Sequence, residues 1–379
     1  MKKKVLFVLP DYCHGGTNKS LENLLQFLDE DKFDISIYVL YVDGVQYYRN
    51  VFSPYIVRKS PLYYLAHDNV VTRKVMGALM KLSPKVNFNW LYRYEVNRLQ
   101  RKHHFDTIVA YQEATATVFV ARLQAQANTV AWVHCNYGAV HHFMADENDR
   151  KDYARFNHIV CVSRKALKSF LSIYPELSNR STYIYNTIKT DDINRMADED
   201  RQTIPFESET FNIISVGRFA KGKGFEKIPE ICNALRKRTA HKFCWYIIGN
   251  GDQALMDTTQ EKIDREGLQS HVVLLGAKDN PYPFIRQANL LASTSDVESW
   301  SYVIAEAKAL GTPVLANNYP VASEVVPPEC GWVCPLDDMP QLIADLMVDK
   351  NGMYSRVKSS SKTGLEDNRS IAKKVMDLL

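Results

Sequence analysis

The chain has no apolar run near the ~18 residues that a membrane-spanning helix needs. Its first apolar run, "VLFVL" at 5–9, is closed by Pro10-Asp11. That is too short for the core of a secretory signal and suits a first β-strand. Cysteine is scarce, seven in 379 residues, scattered mostly inside apolar runs and without a CxxC spacing. This argues against a disulfide framework and against structural zinc, and the chain reads as cytoplasmic. No short-period repeat is present, so a solenoid is excluded. Basic helices with interleaved aromatic platforms are also missing, and no nucleic-acid partner is expected.

What is present fits two globular domains. Apolar residues make up 46% and charged residues 24%, over a length beyond one ordinary core. The net charge of +4 is unevenly spread. Residues 1–190 hold 25 Lys and Arg against 16 Asp and Glu, and residues 191–379 hold 22 against 27. The excess concentrates in 58–104, where ten basic residues face two acidic ones among several Tyr and a Trp. Such a stretch suits an anionic membrane surface on the inner face of the cytoplasmic membrane, or is simply a solvated helical face.

Continuous apolar runs alternate with amphipathic stretches: "KVLFVLP", "DISIYVLYV", "DTIVAYQ", "TVAWVH", "HIVCVS" and "STYIYN". This pattern predicts an α/β fold with a parallel sheet covered on both faces. Near Asn186 the pattern gives way to polar residues, read as a linker containing Asp191-Asp192. It restarts with "FNIISVGR", "KFCWYIIGNGD", "VVLLGAK", "NLLASTS" and "TPVLANN", five strands of a second such domain. The expected organisation is 1–187, 188–360 and a final helix in 361–379 returning to the first domain. Two Rossmann-like sheets would face each other across a cleft.

The second domain carries the more legible chemistry. Gly217-Arg218 follows a strand, and Lys223-Gly224 precedes a helix, a setting for an anion such as a diphosphate. Gly249 and Gly251 form a GxG without a third glycine, which says that a ligand or a backbone comes close. "TSDVESWS" is the loop ending the strand "NLLAS", with Ser299 or Ser301 as cap of the next helix. Glu298 then sits at the mouth of the cleft, able to accept from sugar hydroxyls. The N–H groups of Ser301, Tyr302 and Val303 open a helix that can hold phosphate, and Glu306, one turn deeper, can accept from a ribose diol. In the first domain, His134 and Glu113 each follow a strand. Cys135, His141, His142 and Asp146 lie near His134 in sequence, but His134 ends a strand, so their spacing makes no metal site.

Gly217-Arg218 with Lys223-Gly224, "NPYPFIRQANLLASTS", Glu298 with seven residues before Glu306, and "EAKALGTPVLAN" resemble the family 4 retaining glycosyltransferases of the GT-B fold. The resemblance runs over nearly the whole chain. It implies transfer of a hexose-type sugar from a nucleotide diphosphate sugar, UDP on family frequency, to a hydroxyl of a glycan or lipid-linked glycan, as in surface-polysaccharide assembly. It implies a front-face mechanism without metal or bound cofactor. Arg218 and Lys223 would hold the donor diphosphate, Glu306 the ribose, Glu298 the transferred sugar, and His134 the sugar's reacting face. Gly15 and Gly16 would let the first loop approach phosphate or acceptor. Apart from the resemblance, the place of Glu113 just past a strand suits a contact with acceptor or sugar, or a cap on the following helix. Ser299-Trp300-Ser301-Tyr302 and Thr17-Asn18 depart from the family's usual residues, which leaves sugar and acceptor open. A nucleotide-sugar epimerase on this scaffold, or a binding protein that has lost turnover, are the alternatives.

Overall fold

The computed structural model describes residues 1–12, 15–40, 48–57, 89–144, 148–199, 206–207, 209–360 and 367–379. Residues 58–88 of the basic stretch, and Asp146, lie outside the described residues. The chain forms two compact units: 1–187 with 367–379, and 188–366.

The first unit holds a six-stranded sheet in the order β2-β1-β3-β4-β5-β6. Its strands are β1 (Lys3–Leu9), β2 (Phe33–Val39), β3 (Thr107–Ala110), β4 (Asn128–Val133), β5 (His158–Cys161) and β6 (Ser181–Tyr183). Every pairing is parallel, with Val8 opposite Ala110 and Val109 opposite Val130. Residues 5–9 of β1 are wholly buried, as a strand covered on both faces must be. The helix Asn368–Met376 belongs to this unit and is capped by the Asp367 carboxylate. It buries Ile371, Ala372 and Val375. Just beyond it, the carbonyls of Leu378 and Leu379 accept from Asn128 Nδ2 and Thr107 Oγ1, each at 2.6 Å.

The second unit repeats the plan, in the order β12-β11-β10-β7-β8-β9. Its strands are β7 (Phe211–Val216), β8 (Phe243–Ile248), β9 (Val272–Gly276), β10 (Leu290–Ser293), β11 (Val314–Asn317) and β12 (Gly331–Cys334). Adjacent residues divide between two cores: Ile214, Leu291 and Val314 lie in one, and Ile213, Leu290 and Leu315 in the other. That is the two-residue period of a sheet buried on both sides. Two sequence readings need correction here. The sixth strand, β12, was not expected. The polar stretch read as a linker contains the helix Thr190–Glu199, with Asp191 and Asp192 in its first turn. Ile193 and Ala197, four residues apart, pack this helix into the second unit's core.

Candidate functional site

In the second sheet the chain runs from β7 through β8 and β9 to one side, then returns to place β10 on the other flank of β7. The connections leaving the carboxyl ends of β7 and β10 therefore diverge, and such a switch point is where open α/β sheets bind ligands. Gly217-Arg218 leaves β7 there, and the loop with Glu298 leaves β10.

The tail of β7 keeps running beside the tail of β8. Gly217 N–H donates to the Ile248 carbonyl at 3.0 Å, and Phe219 N–H to that of Asn250 at 2.9 Å. A Cβ on Gly249 would stand 1.8 Å from the Gly217 carbonyl oxygen, so only glycine fits. On Gly251 it would meet the Phe219 carbonyl oxygen at 2.2 Å and Arg218 Cγ at 3.0 Å. The close approach implied by the GxG spacing is thus made by the chain's own backbone. Arg218 is exposed and forms no ion pair among the described residues.

The loop after Arg218 is fastened to the tail of β10. Asp296 N–H donates to the Gly222 carbonyl at 2.8 Å. Thr294 Oγ1 donates to the Lys223 carbonyl at 3.0 Å. Gly224 takes a φ of 72° with its α-carbon against the Thr294 carbonyl, where an added Cβ would lie 2.3 Å from the oxygen. Lys227 Nζ reaches both carboxylate oxygens of Asp296 at 2.7 Å. This clamp brings Lys223 Nζ to 2.5 Å from Glu298 Oε1, which also accepts from Ser295 Oγ at 2.9 Å. Sequence reasoning gave Lys223 and Glu298 separate ligands; the structure makes them an ion pair. The nearby Tyr319 phenol is held above its ordinary range, first by burial and then by the Glu298 carboxylate.

The helix Tyr302–Leu310 begins at Ser301, but the Ser301 hydroxyl makes no capping bond, contrary to expectation. The Ser301 hydroxyl thus leaves the positive end of the helix dipole uncountered at the cap position. Glu306, the fifth helical residue, is buried, and one of its contacts is the Tyr282 hydroxyl at 3.4 Å.

The first unit has its own switch point, between β1 and β3. Gly15 stands before the helix Gly16–Leu25 in extended conformation with no side-chain cap. A Cβ on either glycine would meet nothing within 4 Å among the described residues. Beyond β3, Glu113 is buried, and its Oε2 accepts from the His134 N–H at 2.9 Å. It stitches the tails of β3 and β4 together and does not cap the helix Thr115–Val120, whose start has no side-chain cap. Burial pushes the Glu113 carboxyl up, against the pull of the His134 amide and the Cys135 thiol. The next residue, Ala114, has a φ of 60°, a region costly for any residue but glycine. The His134 ring hydrogen-bonds the Tyr111 backbone, while its Nε2 is buried without a partner among the described residues. Burial lowers its pKa to about 3, so the ring is neutral near pH 7.

Sequence reasoning missed Ser295 and the Lys227–Asp296 pair. Ser295 lies three residues before Glu298, a short-range spacing that could have signalled the bond. The Lys227–Asp296 contact joins two residues 69 positions apart and leaves no local trace.

Two families match in sequence. The one described as Glycosyltransferase Family 4 covers residues 14–192, and Glycosyl transferases group 1 covers 196–358. An uncharacterized glycosyltransferase of Methanocaldococcus jannaschii is 26% identical over 172 residues, 44% of this chain and 41% of the relative. A second relative is 25% identical over 215 residues, 56% of each chain. It is the Campylobacter jejuni N-acetylgalactosamine-N,N'-diacetylbacillosaminyl-diphospho-undecaprenol 4-alpha-N-acetylgalactosaminyltransferase. The chain thus spans about half or less of the length of these curated relatives. The crystal structure of Anabaena HepE in complex with UDP superposes with a TM-score of 0.72 at 17% identity, covering 100% of this chain and 99% of that one. With two six-stranded parallel sheets, a full-length match to a solved structure and two family matches in tandem, the chain has the GT-B fold and belongs to the family 4 glycosyltransferases.

Proposed function

We propose that this chain is a retaining glycosyltransferase that moves a hexose-type sugar from a UDP-sugar to a hydroxyl of a glycan or lipid-linked glycan. The observation that carries the reading is the second unit's switch point. Exposed Arg218, the Lys223–Glu298 pair and the uncapped start of Tyr302–Leu310 lie on the loops that leave β7 and β10. The UDP held by HepE supports the nucleotide. The name of the Campylobacter relative supports a diphospholipid-linked acceptor.

In this reading the diphosphate takes its countercharge from Arg218, Lys223 and the first amides of the helix. Positive groups already in place need no reorganisation when negative charge builds on the leaving oxygen. The departing diphosphate accepts the acceptor's proton on the face it leaves, so the sugar keeps its anomeric configuration. Glu306 accepts from the ribose diol, and Glu298 from the transferred sugar. Lys223 orients Glu298 through Oε1 and serves the phosphate beside it.

Calorimetric titration with UDP, GDP and ADP, followed by transfer assays on a panel of UDP-sugars, tests the reading. Glu306→Ala weakens UDP binding by about 10–100-fold, the value of one hydrogen bond to a charged group. Glu298→Ala leaves bare UDP binding within about threefold and lowers transfer by about 10²-fold or more. The reverse order would overturn the assignment. Conversion of the donor without an acceptor would identify an epimerase instead.

A further inference from the structure

On the reading that Glu298 accepts from the transferred sugar, we propose that Asn317, at the end of β11, is a positioning residue for the transfer. It holds Ser295, and through Ser295 it keeps one oxygen of Glu298 anchored and the other open to the sugar. β10 and β11 pair in parallel from Leu291 opposite Val314 to Ser293 opposite Ala316. β11 runs one residue further, while the chain leaving β10 turns into the loop that carries Glu298. Where the ladder stops, the Asn317 side chain stands in for a backbone amide: its Nδ2 donates to the Ser295 carbonyl at 3.0 Å. Its Oδ1 accepts from the Asn318 N–H at 2.8 Å, which settles which end of the amide faces Ser295. Both ends of the side chain are thereby committed.

Ser295 is buried, and its hydroxyl donates to Glu298 Oε1, the oxygen that Lys223 also holds. Oε1 is thus engaged twice, while Oε2 makes no hydrogen bond or ion pair among the described residues. Oε2 is therefore the atom left to accept from a sugar hydroxyl. A serine can hold a carboxylate in one rotamer only if its own backbone is fixed. On the β7 side, the Asp296 N–H on the Gly222 carbonyl and Thr294 Oγ1 on the Lys223 carbonyl do this. β10 lies between β7 and β11, so Asn317 supplies the hold from the opposite flank, and the segment 294–298 is fastened on both sides. A carboxylate aligned in advance keeps the reacting geometry, and a misplacement of about 1 Å at such a group can cost about a hundredfold in rate.

The test compares the parent with Asn317→Asp, Asn317→Ala, Ser295→Ala and the double variant Ser295→Ala with Asn317→Ala. Aspartate keeps the acceptor for the Asn318 N–H but sets a carboxylate oxygen against the Ser295 carbonyl. With a UDP-sugar that the parent uses, Asn317→Asp is expected to lower kcat by about tenfold or more and Asn317→Ala by about fivefold. Affinity for bare UDP stays within about threefold of the parent, because Glu298 serves the sugar. A merely structural role would lower the melting temperature and leave kcat of the folded enzyme unchanged. The double variant should lose little more than the larger single loss, since without its hydroxyl residue 295 passes nothing on to Glu298. Losses that multiply, or an unchanged kcat in Asn317→Asp, would overturn the proposal. Hydrogen exchange of the segment 294–300 reads the fastening without substrate. The Asp296 amide, bonded to the Gly222 carbonyl in the parent, should exchange about tenfold faster in both Asn317 variants, and unchanged exchange would also overturn the proposal. A parent that transfers no sugar while the exchange difference stands would overturn the transfer reading and still support Asn317 as the anchor of the Glu298 loop.

Discussion

At the scale of single residues, His134 carries the sharpest consequence. Its ring is buried with one nitrogen on the Tyr111 backbone and the other without a partner, and its pKa falls from 6.5 to about 3. The unfolded chain therefore takes up this proton first. The contribution of His134 to stability is complete above pH 6.5 and is lost as the pH falls toward 3, by about 2 kcal/mol at pH 5. Glu113 acts in the opposite sense: its raised pKa means that the folded state gains as pH falls through the folded value. The difference between parent and His134→Gln isolates the histidine. Denaturant unfolding at pH 7 and pH 5 is expected to show the parent losing about 2 kcal/mol more than the variant, and parallel pH curves would refute the neutral ring. The two glutamates of the second unit teach a related point. Read as holding different parts of one ligand, they differ in setting as well: one precedes a helix and meets a lysine while the other is buried inside that helix.

At the scale of elements, the tails of β7 and β8 set where Arg218 stands. Gly249 lets them touch, and a methyl group there would collide with the Gly217 carbonyl oxygen at 1.8 Å. Gly249→Ala is expected to cost about 3 kcal/mol or more, the upper range of overpacking, and to weaken nucleotide binding by displacing Gly217-Arg218. Calorimetry of the variant with and without UDP reads both effects; unchanged melting and affinity would show that the tails can part freely. The strands were legible because a strand buried on both faces must be apolar along its length, as in "VLFVL" and "FCWYII". Other elements hid for identifiable reasons. Thr190–Glu199 has only two buried apolar positions among charged residues. β12 is four residues, "GWVC", enclosed by prolines on either side. Of the site, the glycines and charges could be read from their places at strand ends, whereas the Lys223–Glu298 and Lys227–Asp296 contacts depend on β10 returning beside β7, which no local pattern encodes.

At the scale of the molecule, the chain's last residues complete its first unit. Ile371, Val375 and Leu379 are each at most 3% exposed. The carbonyls of Leu378 and Leu379 accept from Asn128 at one end of β4 and Thr107 at one end of β3. Full burial of three aliphatic side chains is worth about 1.5–3 kcal/mol each, and two more hydrogen bonds add about 1 kcal/mol apiece. Against the 5–15 kcal/mol that holds a typical domain folded, their loss is large. Removal of 367–379 is therefore expected to unfold or severely weaken the first unit, although the deleted residues follow the second unit in sequence. Scanning calorimetry of the truncated chain should show one transition lost or lowered, with the remaining transition still raised by UDP. Proteolysis should cut first within 1–187 and leave 188–366 protected. Two unchanged transitions would show that the first sheet does not need its distant helix; loss of the UDP-sensitive transition would show that the helix supports the second unit instead.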